Sequence, residues 1–296
     1  MMDPRLLYTF NPDVWEQLKG TKPVLIHLLD GFVDAGGVSA GLRQFLVDAG
    51  SPQVLADFDI DQLHDYRSRR PVMTFDTNSW VGLNEYHLTM DVLTDANGQY
   101  FLLFHGPEPD AQWHRTVKAV LGLAERLEVS RLITVTGIPM AVPHTRPTLV
   151  TTHATDPELA RGNPAWVDRV QVPASLSAML EYTAGESDHL GQGFVAHVPH
   201  YLAQTQFPQA ILAVLGKITD ATGLRFDTAE LERQARQRTE AITAEIDADG
   251  DFPEVLHTLE GQYDDMASRG LASIPTADEL GAAVERFLRE QGDEGP

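Results

Sequence analysis

The chain contains no cysteine, is poor in basic residues and has no long apolar run. The absence of cysteine excludes disulfides, cysteine-ligated zinc or iron–sulfur centres and thiol nucleophiles. Lys and Arg together number 22 against 43 Asp and Glu, which gives a formal net charge of −21 at pH 7. Because basic surfaces attract nucleic acids and anionic membranes, neither is expected as a partner. No stretch approaches the roughly 18 apolar residues that span a membrane.

Several familiar sequence patterns are also missing. The first residues have no apolar segment of the signal-peptide kind, so we expect a cytoplasmic protein. The sequence has no HExxH pair, EF-hand loop, GxSxG elbow, P-loop or GxGxxG turn. We therefore expect no metal, no cofactor and no recognisable set of catalytic residues.

What the sequence does contain, up to about residue 220, is an alternation of short apolar runs with helical patterns. Repeated strand, glycine turn and helix are typical of a mostly parallel sheet covered by helices on both faces, an α/β fold. Strands are predicted at 23–30, 54–59, 84–93, 100–106, 131–137, 147–153 and 193–198. Helices are predicted at 36–50, 113–127, 174–184 and 208–222.

The last quarter of the chain differs in charge and in pattern. Residues 221–296 hold 18 acidic and 7 basic residues, so they carry −11 of the net −21. Only helical periodicity is present there, at 228–246, 253–268 and 277–290. We predict an α/β core domain of residues 1–220 and a small, acidic, all-α extension of residues 221–296.

Three loops directly follow predicted strands: 30–37, 105–113 and 137–147. In open α/β sheets, ligands bind beyond the carboxyl ends of the strands, so these loops are the candidate ligand-binding or interface sites. In the first loop, Asp34 precedes Gly36 and Gly37. These glycines either present backbone N–H groups to an anion or simply permit a tight turn and close packing.

The second loop carries Glu108 and Asp110. This carboxylate pair could perform acid–base chemistry or hold a divalent metal. Alternatively, Asp110 is structural and caps the helix that follows it. The arginine-rich stretch at 65–71 has a similar ambiguity, since it either binds an anionic ligand or partner or pairs with the carboxylates of this acidic chain.

In the third loop, prolines at 139, 143 and 147 restrict the backbone around His144 and Arg146. A rigid His–Thr–Arg segment could bind an anion through the guanidinium and the imidazole. It could equally present a fixed surface to a partner subunit.

The order and spacing of several stretches resemble the proteasome assembly chaperone 2 family, in a bacterial branch with a helical C-terminal extension. The matching stretches are DGFVDAGG (30–37), DYRSRRP (65–71), GPEPDAQW (106–113), GIPMAVPHTRP (137–147), HVPHYLAQTQFPQA (197–210), LEGQYDD (259–265) and IPTADELGAAVERFL (274–288). The resemblance implies a phosphorylase/hydrolase-like core, a homo-oligomer (in this branch a trimer) and an assembly or chaperone-like role. It supplies no catalytic residue.

Three hypotheses for function follow. The first is a non-enzymatic, oligomeric assembly factor with a protein client. The alternative is a small-ligand-binding protein or enzyme of nucleoside phosphorylase/hydrolase-like type, in which Asp34, Glu108, Asp110, His144 and Arg146 converge in one pocket. The third is a structural interaction protein without a client. The apolar stripe Val255, Leu256, Leu259 and Tyr263 packs either on a partner or, as is usual for amphipathic helices, on the chain itself.

Overall fold

The computed structural model describes residues 2–31, 33–163, 169–248 and 252–268. The strands are β1 (Tyr8–Phe10), β2 (Val24–Asp30), β3 (Gln53–Phe58), β4 (Met73–Asp76), β5 (Ser79–Leu83), β6 (Leu88–Thr94), β7 (Tyr100–Pro107), β8 (Arg131–Met140), β9 (Val150–Ala154) and β10 (Gly191–Pro199). The helices are α1 (Pro12–Leu18), α2 (Val38–Ala49), α3 (Ile60–Leu63), α4 (Trp113–Arg126), α5 (Leu176–Glu186), α6 (Pro208–Thr222), α7 (Ala229–Asp247) and α8 (Phe252–Ser268). The helix predicted at 277–290 lies outside the described residues.

Eight strands form one sheet in the order β1-β3-β6-β7-β2-β8-β10-β9. The four strands at its centre, β7, β2, β8 and β10, are mutually parallel, and antiparallel strands flank them on both sides. Helices cover the sheet, so the predicted α/β class is confirmed. The parallel pairing is found where the sequence has near-continuous apolar runs, because a strand buried on both faces has no polar side to show.

Alternate residues of the central strands build two apolar layers. On β2, Ile26 and Leu28 face the layer beneath α2 and α6, while Leu25 faces the layer beneath α1, α4 and α5. This division follows from the two-residue period of a strand, which sends successive side chains to opposite faces of the sheet.

The C-terminal helices α7 and α8 join the first of these layers. Leu231, Ile242 and Ile246 of α7 belong to the same buried cluster as the core of the sheet, and so does Leu256 of α8. Of the predicted apolar stripe, Leu256, Leu259 and Tyr263 are buried within the chain and Val255 is half-buried. The division of the chain at residue 220 stays a prediction.

Three short strands were not predicted from the sequence: β1 at one sheet edge, and β4 and β5. The last two form a separate two-stranded hairpin that does not pair with the main sheet. The expectation that Asp110 caps α4 is wrong, because the residue before this helix is Gln112 in the left-handed region (φ 59°) and no side chain caps the helix. None of the described helices is both long and apolar enough to cross a membrane.

Candidate functional site

The three candidate loops emerge at one edge of the sheet. Strands β7, β2 and β8 are parallel neighbours, with Asp30 of β2 aligned with Pro107 of β7 and Val24 aligned with Arg131 of β8. Their carboxyl ends therefore point the same way, as the sequence predicts. What each loop can do depends on the partners of its side chains.

In the first loop, the backbone and the carboxylate are both engaged in packing. The Asp34 carboxylate accepts hydrogen bonds from the N–H groups of Ser39 (2.8 Å) and Ala40 (3.1 Å) in the first turn of α2. Gly36 and Gly37 have φ values of 69° and 58°, and a Cβ on Gly36 would lie 3.0 Å from Val198. The loop therefore needs its glycines for left-handed backbone and for close approach to β10.

In the second loop, the two carboxylates face different elements. Oε1 of Glu108 accepts a hydrogen bond from the N–H of Leu176 at the start of α5 (2.6 Å). Asp110 instead accepts hydrogen bonds from the backbone N–H of Asp65 (2.7 Å) and from the Arg69 guanidinium (2.8 Å). Arg69 also donates to the carbonyl oxygen of Glu108, which ties the arginine-rich stretch to this loop.

These contacts determine the charge of Asp110. Burial by itself would raise the pKa of this carboxyl. The hydrogen bonds from the Asp65 N–H and from Arg69, together with the positive charge of Arg69, outweigh burial, so the pKa of Asp110 lies below its ordinary value. Asp110 is thus an ionised anchor for the segment that follows α3.

In the third loop, His144 is buried within a relay of hydrogen bonds to α7. Its backbone N–H donates to the Tyr201 hydroxyl (3.0 Å), and its Nδ1 lies 2.9 Å from the same oxygen. On the other side of the ring, Nε2 lies 3.1 Å from Oγ1 of Thr243, whose hydroxyl donates to the carbonyl of Thr239. Burial raises the pKa of Tyr201 to about 12, so its hydroxyl stays neutral.

Arg146 in the same loop binds the carboxylates of α8. Its Nε and Nη2 donate to the two oxygens of Asp264 (2.8 and 2.7 Å), and its Nη1 donates to Glu260 (3.1 Å). These hydrogen bonds raise the pKa of Arg146 above its ordinary value. The Tyr263 hydroxyl donates to the carbonyl of Pro147 (2.8 Å). The Arg146 guanidinium, which the sequence suggested could bind an anion, therefore binds two carboxylates of the C-terminal helix α8.

Taken together, the structure links Glu108 with Asp110 through Arg69, and it ties His144 and Arg146 to the C-terminal helices. Asp34 lies before α2 and binds only the backbone of its first turn in the contacts described above. Among the described residues, no group of three or more His, Asp or Glu side chains is arranged to hold a metal ion.

A polar cluster on the α5 face of the sheet was not predicted from the sequence. His27 of β2 lies with Nδ1 3.3 Å from the Ser177 hydroxyl, and His153 of β9 pairs with Glu181 of α5 (2.8 Å). Burial lowers the pKa of His27 to about 4, so this imidazole is neutral. The sequence signal for this cluster is Gly193, because a glycine inside a predicted strand often marks the close approach of another group. In the structure that group is the His153 ring, which would lie 2.1 Å from a Cβ at position 193.

The second feature missed from the sequence is the hairpin formed by β4 and β5. Every residue of both strands is exposed. Six large apolar side chains contribute to this surface: Val72, Met73, Phe75, Trp80, Val81 and Leu83. The sequence signal was present as two runs of strand-forming residues separated by the polar turn Thr77–Asn78.

The comparisons with known proteins agree with this architecture. The model of the PAC2 family, the proteasome assembly chaperone 2 family, matches residues 28–246. A Mycobacterium tuberculosis protein of unknown function is 38% identical, with a TM-score of 0.83 over 91% of this chain and 92% of its own. A Corynebacterium glutamicum protein of unknown function is 34% identical, with a TM-score of 0.83 over 89% of this chain and 98% of its own.

A proteasome-assembly chaperone homologue from M. tuberculosis is 22% identical, with a TM-score of 0.72 over 79% of this chain and 99% of its own. No curated protein matches the chain. The extent of the family match and the identity to the first two structures leave one assignment: the chain belongs to the PAC2 family.

Proposed function

We propose that this protein is a non-enzymatic, cytoplasmic assembly factor that acts as a homo-oligomer, in the first instance a trimer, and binds a protein client. Family membership supports a chaperone-like role, since one structural neighbour is a proteasome-assembly chaperone homologue and another, from Pyrococcus furiosus, is an archaeal proteasome activator. The descriptions of both neighbours refer to the proteasome, a protein assembly, and this supports the kind of role that we propose for this chain.

The observation that carries the proposal is the exposed apolar hairpin. Trp80 is 64% exposed and Val72 is 66% exposed, although large apolar side chains are normally buried. The Phe75 and Trp80 rings contact each other with centroids 4.9 Å apart, so they form one apolar surface. Residues 71–84 contain a single charged side chain, Asp76, in a chain whose net charge is −21. Copies of the chain can approach one another here with little charge repulsion.

The size of this surface fits self-association. With side-chain areas of roughly 150–250 Å² for aromatic residues and somewhat less for aliphatic ones, the six side chains expose roughly 600 Å² on each hairpin. That is at the top of the range of about 300–600 Å² for the largest apolar patch on a monomer. Because contact between two identical hairpins would close as a dimer, a trimer requires three hairpins to meet around its axis, where roughly 600 Å² from each gives about 1,800 Å² in all, within the range of stable interfaces.

The strand-end loops also support binding over catalysis. Asp34 caps a helix, Glu108 and Asp110 hold α5 and the segment after α3, and Arg146 is occupied by α8. Side chains with these intramolecular partners position the loops and the C-terminal helices. The alternative function, a phosphorylase- or hydrolase-like site, would need to break several of these contacts to admit a substrate.

Light scattering of the purified full chain tests the self-association. We expect a mass of three times 32.7 kDa for the wild type and of 32.7 kDa for the double variant Phe75→Ser, Trp80→Ser. Tyr182→Ser removes an aromatic side chain on α5 that is 68% exposed, and it is the matched control that should keep the wild-type mass. A monomeric wild type, or a hairpin variant with unchanged mass, would refute the proposal, and a dimeric wild type would refute the trimer.

A client is tested by affinity capture from the native cytoplasm with the full chain. We expect a discrete protein in near-stoichiometric amount that survives washing and binds again when both components are purified. Failure to reconstitute any complex would contradict the assembly role, and it would leave the mass measurement to decide the oligomer separately.

A further inference from the structure

A pocket opens at the root of the β4–β5 hairpin. It is lined by the end of β3, by α3 and by the residues on either side of the hairpin, and its volume is about 340 Å³. That volume is close to the lower limit of about 300 Å³ for small-molecule sites, so the pocket admits a single side chain rather than a folded element. Its walls include four carboxylates and two aromatic rings: Asp57, Asp59, Asp61, Glu85, Tyr66 and Tyr86.

No lysine or arginine in the described part of the chain forms an ion pair with the carboxylates of this pocket. Asp59 accepts a hydrogen bond from the Gln62 amide (2.7 Å) and Asp61 accepts one from the Tyr66 hydroxyl (2.6 Å), and both donors are neutral. The hydrogen bond to Asp61 and partial burial raise the pKa of Tyr66 above its ordinary value. The charges of Asp61, Glu85 and Asp59 raise it further, so the negative potential of the pocket converges on this ring.

The two tyrosine rings of the pocket are held in place from below. Both lie against the ring of His64, whose side chain is 1% exposed, with centroid distances of 5.0 Å for Tyr66 and 4.4 Å for Tyr86. The face of a tyrosine ring attracts a cation, and the planar guanidinium of arginine both stacks on aromatic rings and pairs with carboxylates. The lining of this pocket therefore matches an arginine side chain.

Two arginines are exposed beside the pocket. Arg67 and Arg70 lie in the segment that leads into the hairpin, and within the described residues neither forms an ion pair with a carboxylate. Arg69, which lies between them, is instead bound to Asp110 (2.8 Å). The surface around the hairpin thus carries both halves of a charge-complementary contact, and a single copy does not join them.

A second copy of the chain can join these two halves. Both flank the apolar hairpin, through which the copies are proposed to associate. A contact between two different patches on successive copies closes a ring, which is the kind of contact that a trimer requires. The carboxylates at the hairpin root would repel the next copy of a chain with a net charge of −21, unless that copy supplies a cation.

We propose that the acidic pocket receives an arginine of the next copy, Arg67 or Arg70, so that the pocket is completed only in the oligomer. The guanidinium pairs there with Asp59 and Glu85 and lies against the Tyr66 ring. This inference rests on the proposed self-association, and it adds the contact by which one copy selects another.

Charge reversal in the full-length protein tests the contact. The pocket variant is Asp59→Lys, Glu85→Lys, and the arginine variant is Arg67→Glu, Arg70→Glu. All four side chains are exposed, so both variants should fold. Each should associate at least about a hundredfold more weakly in sedimentation equilibrium, because like charges then meet at the interface.

The matched control is Glu125→Lys, Glu186→Lys. It makes the same change of net charge as the pocket variant, at exposed positions in the last turns of α4 and α5. Lysine is favourable at the C-terminal end of a helix, so this variant should fold and should not weaken association.

Two further experiments ask whether the contact is made between copies. In the variant that combines all four reversals, the substitutions add +4 and −4, so the net charge stays −21 and the charges at the contact are again opposite. This variant should regain most of the wild-type association. Mixing the two double variants should also restore association, because the arginines of one face the acidic pocket of the other. An ion pair within one copy would not respond to mixing.

The outcomes are distinguishable. Double variants with the wild-type association constant, a combined variant as weak as either of them, or a mixture that stays monomeric would each overturn the proposal. If the Phe75, Trp80 variant also keeps its mass, the hairpin interface itself has failed. If that variant dissociates while the charge variants do not, only the arginine contact has failed.

Discussion

Replacing Tyr201 by Phe is expected to loosen the attachment of the third loop to the C-terminal helices. The substitution removes one oxygen that serves both the backbone N–H and Nδ1 of His144. It keeps the aromatic ring, which packs on Phe252 of α8 at 5.0 Å. The perturbation therefore isolates the hydrogen bonds from the apolar contact.

The magnitude follows from the burial of His144, which is 3% exposed. A buried polar group that loses its partner costs about 1–3 kcal/mol, so Tyr201→Phe should lower the free energy of unfolding by that amount. Tyr182→Phe is the matched control. Its hydroxyl bonds Glu186 on the surface of α5, and the loss should stay within about 0.5 kcal/mol.

The assay is equilibrium unfolding in urea, which also reports whether the dependence of the unfolding free energy on urea concentration is unchanged.

The pH dependence of the unfolding free energy gives a second check. The pKa of Tyr201 is raised by burial to about 12, so the folded state holds this proton more tightly than the unfolded state does. The resulting stabilisation is complete below about pH 10 and is lost as the pH rises towards 12. The gap between wild type and Tyr201→Phe should therefore narrow in that range. A cost equal to that of the Tyr182 control would refute the reasoning.

Two further substitutions test the α5 face of the sheet. Gly193→Ala places a Cβ 2.1 Å from the His153 ring, so it should separate His153 from Glu181 and lower the free energy of unfolding by about 1–3 kcal/mol, measured by thermal melts. The control is Gly122→Ala in α4, whose Cβ would meet no atom within 4 Å and which should be neutral or stabilising in the same measurement. For His27, burial lowers the pKa to about 4, so the unfolded state binds the proton first and stability should fall as the pH drops from about 6.5 towards 4. His27→Asn should lose less stability than wild type over that pH range in urea titrations. An equal loss in both proteins would show that His27 is not the group responsible for the decrease.

Much of the architecture is predictable because buried strands have a recognisable pattern of apolar residues in the sequence. The runs at 23–30, 100–106 and 131–137 are apolar on both faces, and they became the parallel strands β2, β7 and β8. The shared edge of the three loops follows from that pairing alone. The hairpin was missed because both of its faces are exposed, so the burial that produces an alternating pattern is absent.

The candidate site was harder to predict because residue type does not specify a partner. Arg146 and His144 do stand out in sequence, but the groups that they bind, Asp264 and Thr243, lie about a hundred residues further along the chain. For the same reason, Asp110 looked like a helix cap from its position before α4. The structure instead directs it to Arg69, 41 positions earlier.

The position of β2 at the centre of the sheet has a consequence for synthesis of the chain. This strand is complete at Asp30, but its two neighbours, β7 and β8, end only at Pro107 and Met140. At about 5–20 residues per second, the second neighbour is finished roughly 5–20 s after β2 itself. Throughout that interval at least one edge of this apolar strand lacks its partner. We therefore expect slower translation to lengthen the exposure of this strand edge and to increase aggregation of the unfinished chain.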